Sequence, residues 1–161
     1  MAGIAGIIGK EGTPKKVEKM LERIHYRGTD NTLVFKTPIG TAGFVGNYSP
    51  SQKKIGFSAG KGPLVLVDGF FDCDDTQYEK GTSDAECLKH LYMVHGKKAF
   101  SMIHGSFACA VYDDQECIIL RDHVGARPVI YDAEGENLIF ASEGKALSGL
   151  TRRVKELPPG Y

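Results

Sequence analysis

Cysteine and histidine are the residues here with the widest chemical repertoire, and their spacing argues against most of it. Cys73, Cys87, Cys109 and Cys117 are scattered without a C-x-x-C pair. A zinc site needs such pairs or nearby histidines to close a tetrahedron. His25, His90, His95, His104 and His123 offer only one weak pair, five residues apart. No metal site is expected, and the cysteines read as reduced, mostly buried thiols. The glycine-rich stretch Gly56–Gly62, G-F-S-A-G-K-G, lacks the Walker spacing and the Ser or Thr after Lys61, so it reads as a loop and not as a phosphate cradle. Neither a G-x-S-x-G elbow nor H-E-x-x-H is present, which removes the serine-hydrolase and metalloprotease readings. No cofactor is expected.

The elements that must position any site follow from pattern. Gly3 to Gly9 is a short apolar run suited to a buried strand. Thr13-Pro14 reads as N-cap and first helical position, and Val17, Met20, Leu21 and Ile24 at i, i+3, i+4, i+7 predict a helix over 14–25 that stops near Gly28. Runs at 32–36, 41–45, 54–58 and 64–67, separated by Gly, Pro and Ser, read as strands of an antiparallel region. Ser83-Asp84-Ala85-Glu86 is a capping-box pattern and predicts a helix over 84–95 with a stop at Gly96. Residues 107–112 are apolar on both faces, so that strand needs cover on both sides. Strands at 117–120, 129–131 and 138–141 complete a design of stacked sheets with helices outside.

Composition sets the outer limits. The 161 residues suit one domain, 1–161, with a real core, and 42% hydrophobic with 25% charged residues is ordinary for a folded chain. Twenty basic and twenty acidic residues cancel, so no global field recruits nucleic acid or an anionic membrane. No apolar stretch approaches a membrane span, and the start lacks the basic and apolar regions of a signal peptide; a cytoplasmic location is expected.

Against that background a series of short segments stands in fixed order: M-A-G-I-A-G-I-I-G at 1–9, Y-R-G-T-D at 26–30, D-G at 68–69, S-D-A-E at 83–86 and G-S-F-A at 105–108. R-D-H-V-G-A-R-P-V-I-Y at 121–131, F-A-S-E-G-K-A-L at 140–147 and L-P-P-G at 157–160 follow. Together they resemble the class II, N-terminal-nucleophile glutamine amidotransferase domain in the form found at the front of asparagine synthetases. The resemblance implies an α+β fold: a four-layer α-β-β-α sandwich of two antiparallel sheets. It also implies a partner, an ATP-using synthetase domain or subunit, because the L-P-P-G-like segment precedes such a domain in the family.

The same resemblance makes the departures decisive. In the family a cysteine at position two, freed by removal of Met1, attacks the glutamine amide with its own α-amine as base. Here position two is Ala2, whose methyl group cannot attack a carbonyl. Loss of a nucleophile typically costs about 10⁶ in kcat. Alignment on Gly43 puts Gly46 where the family carries the arginine that clamps the glutamine carboxylate. No arginine lies between Arg27 and Arg121; Lys53 or Lys54 offers a point charge without the fork. The oxyanion position, an Asn side chain with the next Gly amide, reads Asp68-Gly69, and a carboxylate only accepts hydrogen bonds. Asp84 matches the acidic residue that holds the glutamine ammonium. The cleft is then expected to hold two carboxylates and no fixed cation, favouring an amine over glutamine.

For the remaining motifs a structural role is the expectation. Arg121, Asp122, Gly125, Arg127 and Pro128 suit an ion-paired turn at a strand junction. Tyr26, Arg27, Gly28 and Asp30 suit a pocket wall, and Phe44, Phe57, Phe70 and Phe71 suit the core. Three functional readings follow. The first is a glutaminase-type domain of asparagine synthetase type that has lost glutaminase activity and serves a synthetase domain. The second is an active ammonia-supplying glutaminase whose cysteine at position two was exchanged for alanine. The third is a non-enzymatic module that binds glutamine or another small amine or amino acid.

Overall fold

The opening apolar run forms strand β1 (Ala2–Ile8) in the computed structural model, which describes residues 2–47, 56–73 and 82–161. Helix α1 (Pro14–Arg23) follows Thr13 and buries Val17, Met20 and Leu21. It is shorter than the 14–25 expected. At Ile24 the backbone leaves α geometry, and a 3-10 turn at His25–Arg27 carries the chain to Gly28. Just past the turn the chain packs closely: a Cβ on Gly28 would lie 2.2 Å from the Cα of Gly46.

Strands β2 (Asn31–Thr37), β3 (Gly40–Gly46), β4 (Phe57–Ser58) and β5 (Leu64–Cys73) come next. The strand expected over 54–58 is only Phe57–Ser58 among the described residues; Lys53, Lys54 and residue 55 lie outside them. Helix α2 (Asp84–His95) matches its predicted range, with both capping-box hydrogen bonds formed between Ser83 and Glu86. It stops at Gly96, where φ is +58°. Strands β6 (Ile103–Tyr112), β7 (Cys117–Arg121), β8 (Ile130–Glu134), β9 (Asn137–Ala141) and β10 (Lys155–Glu156) complete the chain.

The strands form two antiparallel sheets in the orders β10-β8-β9-β1-β3-β2 and β4-β5-β6-β7. Strand alternation sorts the core into three layers. Ile4, Phe44, Leu64, Leu66, Tyr112 and Phe140 fill the space between the sheets. Ala5, Ile7 and Val45 on the opposite face meet Val17, Met20 and Leu21 of α1. Val65, Val67, Phe71 and Phe107 meet Leu88 and Leu91 of α2. The result is the α-β-β-α sandwich that the doubly apolar strand at 107–112 required: β6 faces the first sheet with one side and α2 with the other.

Two expectations are corrected. Cys73 at the end of β5 and Cys87 in α2 are joined by a disulfide, so only Cys109 and Cys117 are free thiols. Packing of α2 on β5 brings together two cysteines that no short spacing motif links. Phe70, expected in the core, is 51% exposed, whereas Phe44 and Phe71 are buried.

Candidate active-site cleft

Of the predicted site residues, Ala2, Gly46 and Asp68 come together near the start of β1, linked by the β1–β3 register and by Arg27. Antiparallel register sets Ala2 opposite Gly46. Ala2 packs against the inter-sheet cluster, the layer that also holds Leu64 and Leu66 of β5. Asp68 continues the alternation of Leu64 and Leu66, so its carboxylate enters the same layer from the second sheet, with no exposed surface. Gly69 has φ +128°, and a Cβ there would meet the Ser106 carbonyl at 2.1 Å, so only glycine fits.

Arg27 ties these residues together. Its Nε donates to the Ala2 carbonyl at 2.8 Å, one Nη to Glu143 Oε1 at 2.9 Å and the other Nη to Asp68 Oδ2 at 2.5 Å. The side chain is 9% exposed. Ser142 closes the network: its hydroxyl donates to Asp68 Oδ2 at 3.1 Å and accepts from the Ile4 N–H at 3.0 Å. Asp68 Oδ1 is buried, with no hydrogen-bond partner among the described residues. The expectation of a cleft without a fixed cation is therefore corrected. The cation comes from the Y-R-G-T-D segment, because the 3-10 turn aims Arg27 back across β1 instead of leaving it in the wall.

Electrostatics follow the geometry. Burial raises the Asp68 carboxyl above the ordinary aspartate range, and Arg27 and Arg127 only partly oppose it. Burial alone would lower Arg27, yet Asp68 and Glu143 hold its guanidinium above the usual value. Burial would also raise Glu143, but hydrogen bonds from Tyr26 and Arg27 keep it below the ordinary range. The Lys145 ammonium stands 3.6 Å over the Tyr26 ring.

The other predicted positions are placed as follows. Gly46 is hemmed in by the Gly28 backbone on one side, and a Cβ on it would lie 2.6 Å from the Phe44 ring on the other. The space where a side chain from position 46 would start is filled. Asp84 stands in the first turn of α2, and its Oδ2 accepts from the Phe71 N–H at 3.2 Å, three residues beyond Asp68. Its carboxylate thus anchors α2 on β5. The segment at 121–128 is a structural junction. Asp122 accepts from the amides of Phe107, Val124, Gly125, Ala126 and Arg127, and Arg121 pairs with Glu156.

Neither free thiol, Cys109 or Cys117, is an activated nucleophile. Burial, reinforced by Asp68, Asp84 and Asp122, pushes Cys109 well above the usual thiol range, and burial pushes Cys117 up to about 12. Both are neutral thiols near pH 7, and the thiolate is the nucleophilic form. Of the side chains in this network, residue-by-residue reading of the sequence placed Arg27 in the pocket wall and did not single out Ser142 or Glu143. The only signal was their membership in the ordered segments Y-R-G-T-D and F-A-S-E.

Comparison with known proteins bears on this arrangement. Residues 73–158 match the family described as a glutamine amidotransferase domain. That span includes Asp84 and Glu143 and begins after Ala2, Gly46, Asp68 and Gly69. Asparagine synthetase B (glutamine-hydrolysing) of Escherichia coli is 40% identical over 91 residues, covering 54% of this chain and 16% of that protein. Asparagine synthetase 2 of Bacillus subtilis is 29% identical over 170 residues, covering 91% of this chain and 22% of that one. The solved structure of the B. subtilis glutamine phosphoribosylpyrophosphate amidotransferase matches with a TM-score of 0.73 at 19% identity, over 98% of this chain and 45% of its own. This likeness shows the fold. The chain spans less than a quarter of the length of these two synthetases.

Proposed function

This chain belongs to the glutamine amidotransferase domain family, and from that premise we propose that it is an asparagine-synthetase-type glutaminase domain that does not hydrolyse glutamine. The observation that carries the reading is the Arg27–Asp68 ion pair at the oxyanion position. An oxyanion hole needs donors aimed at a developing negative charge. Asp68 directs a carboxylate there instead, and the cation that could have offset an oxyanion is already bound to it. Two further features support the same reading: the methyl group of Ala2, and the Phe44 ring against Gly46 where the family clamps the substrate carboxylate.

Asp84 and Gly69 are the retained parts of the substrate cleft. Asp84 stands in the first turn of α2 and Gly69 within β5, where its backbone lies against Ser106 of β6. We assign residues 1–161 to one domain, in the cytoplasm, that works with an ATP-using synthetase domain in the same polypeptide or on a separate subunit. In that setting its contribution is structural or ligand-sensing rather than ammonia supply. Among the described residues no helix is long and apolar enough to cross a membrane.

Ammonia release from glutamine is the test. The chain is expected to release none above background. The Ala2→Cys variant, which restores the nucleophile, is expected to remain poor, because loss of one oxyanion donor alone costs about 10²–10³ in kcat. Full recovery in Ala2→Cys would reject the reading and favour an active glutaminase altered only at its nucleophile.

A further inference from the structure

Arg27 holds its guanidinium in a nearly dry setting with each of its three donor groups committed, and one partner differs in kind from the others. The Ala2 carbonyl is backbone, and Glu143 lies at the cleft wall with a quarter of its side chain exposed. Asp68 is fully buried, and among the described residues it uses only Oδ2 and leaves Oδ1 without a hydrogen-bond partner. A buried carboxylate is normally saturated with hydrogen bonds, because each unmet acceptor costs free energy. Asp68 instead resembles a ligand seated on two donors, the Arg27 Nη and the Ser142 hydroxyl. Both donors are fixed independently of it: Arg27 by Ala2 and Glu143, and Ser142 by the Ile4 N–H. Arg127 adds a second positive field at the same carboxylate.

We propose that this cleft contains a carboxylate-binding site built from Arg27 and Ser142, and that Asp68 is its tethered occupant, which closes the site to small carboxylates. The inference rests on the reading above for the place of Asp68 in the cleft; from Ala2 it uses the backbone carbonyl alone and not the side chain. It identifies the ligand class as a small monocarboxylate, which would make the same two hydrogen bonds that Asp68 Oδ2 makes. Charge-assisted bonds from a guanidinium are roughly twice as strong as neutral ones, which makes Arg27 the dominant contact.

The test is chemical rescue with formate, the smallest carboxylate. Asp68→Ala removes the tethered group and leaves room for the probe. Its unfolding midpoint is expected to rise with formate at least about tenfold more steeply than that of the unaltered chain, as ligand binding to the folded state requires. Asp68→Asn keeps the space filled and should show no added response. Arg27→Met combined with Asp68→Ala should lose the rescue. If Asp68→Ala folds poorly, its refolding yield in formate against chloride is the readout, and equal yields overturn the proposal. Equal formate dependence in Asp68→Ala and the unaltered chain also overturns it. In the unaltered chain the Arg27 Nε–H resonance should not move with formate; movement would show an open site and refute tethered occupancy. Ammonia release reports separately on the glutaminase reading, so either conclusion can fail alone.

Discussion

Arg27→Met is the substitution with the largest calculable consequence. Methionine follows the path of the arginine stem but removes every hydrogen bond the guanidinium makes, to Ala2, Glu143 and Asp68. Glu143 keeps Tyr26 and partial exposure, so it rehydrates cheaply. Asp68 cannot, because it has no exposed surface and retains only the Ser142 hydroxyl. Stranding one member of a buried pair costs about 3–5 kcal/mol. At about 2–4 °C per kcal/mol for a chain of this size, Tm should fall by about 6–20 °C. The double variant Arg27→Met, Asp68→Leu removes both charges at similar volume and should recover most of the loss, since apolar replacement of a buried pair is often neutral. The pH dependence has a definite sign. Asp68 titrates above its unfolded value, so its favourable contribution is full below the unfolded range and is lost as pH rises through the folded value. The deficit of Arg27→Met should therefore grow as pH rises above the ordinary aspartate range and through the folded value of Asp68, where the variant must ionise a stranded carboxyl. Thermal melts of the two variants across that range check both claims. A deficit equal at pH 4 and pH 8, or a double variant no better than the single one, would refute the stranded-charge explanation.

Two other substitutions test separate parts of the cleft and its support. Gly46→Arg should not restore a carboxylate clamp: its Cβ would meet the Phe44 ring, overpacking that costs about 1–3 kcal/mol. Calorimetry with glutamine should show no gain unless Phe44 is trimmed as well. Asp122→Ala should cost about 2–4 kcal/mol, because several backbone amides lose their common acceptor. Those amides hold the Asp122 carboxyl below the ordinary range despite burial, so its contribution is present above about pH 4 and lost as pH falls further. An acid titration of the Asp122→Ala variant should accordingly lack that part of the unaltered chain's acid loss.

Elements whose stability is local were legible in the sequence. The capping box at Ser83 and Glu86 fixed the start of α2, and a stop at Gly96 follows from its positive φ. The two-sided apolarity of 107–112 required cover on both faces, which the first sheet and α2 supply. What escaped was determined by packing between distant segments. Just beyond the early end of α1, Gly28 lies against Gly46, a contact between chain segments that no periodicity encodes. The cation in the cleft escaped for a similar reason: Arg27 and Asp68 stand 41 residues apart, and only the fold makes them partners. The disulfide escaped because Cys73 and Cys87 meet through the seating of α2 on β5.

The departures in the cleft are physically interlocked. A carboxylate at position 68 is tolerable in the inter-sheet layer only because Arg27 faces it, and Arg27 is committed to it as a result. Glycine at position 46 lets the Gly28 backbone approach from one side and the Phe44 ring from the other. Phe44 in turn packs against Phe57, with ring centroids 5.6 Å apart, within the cluster that joins the two sheets. Restoring a clamp at position 46 therefore means displacing a core aromatic, and restoring an oxyanion donor at position 68 means leaving Arg27 without its anion. Each reversal disturbs packing or charge balance that the folded chain now depends on. On the proposed reading, a cysteine placed at position two would join positions 46 and 68 that the core itself holds in their present state.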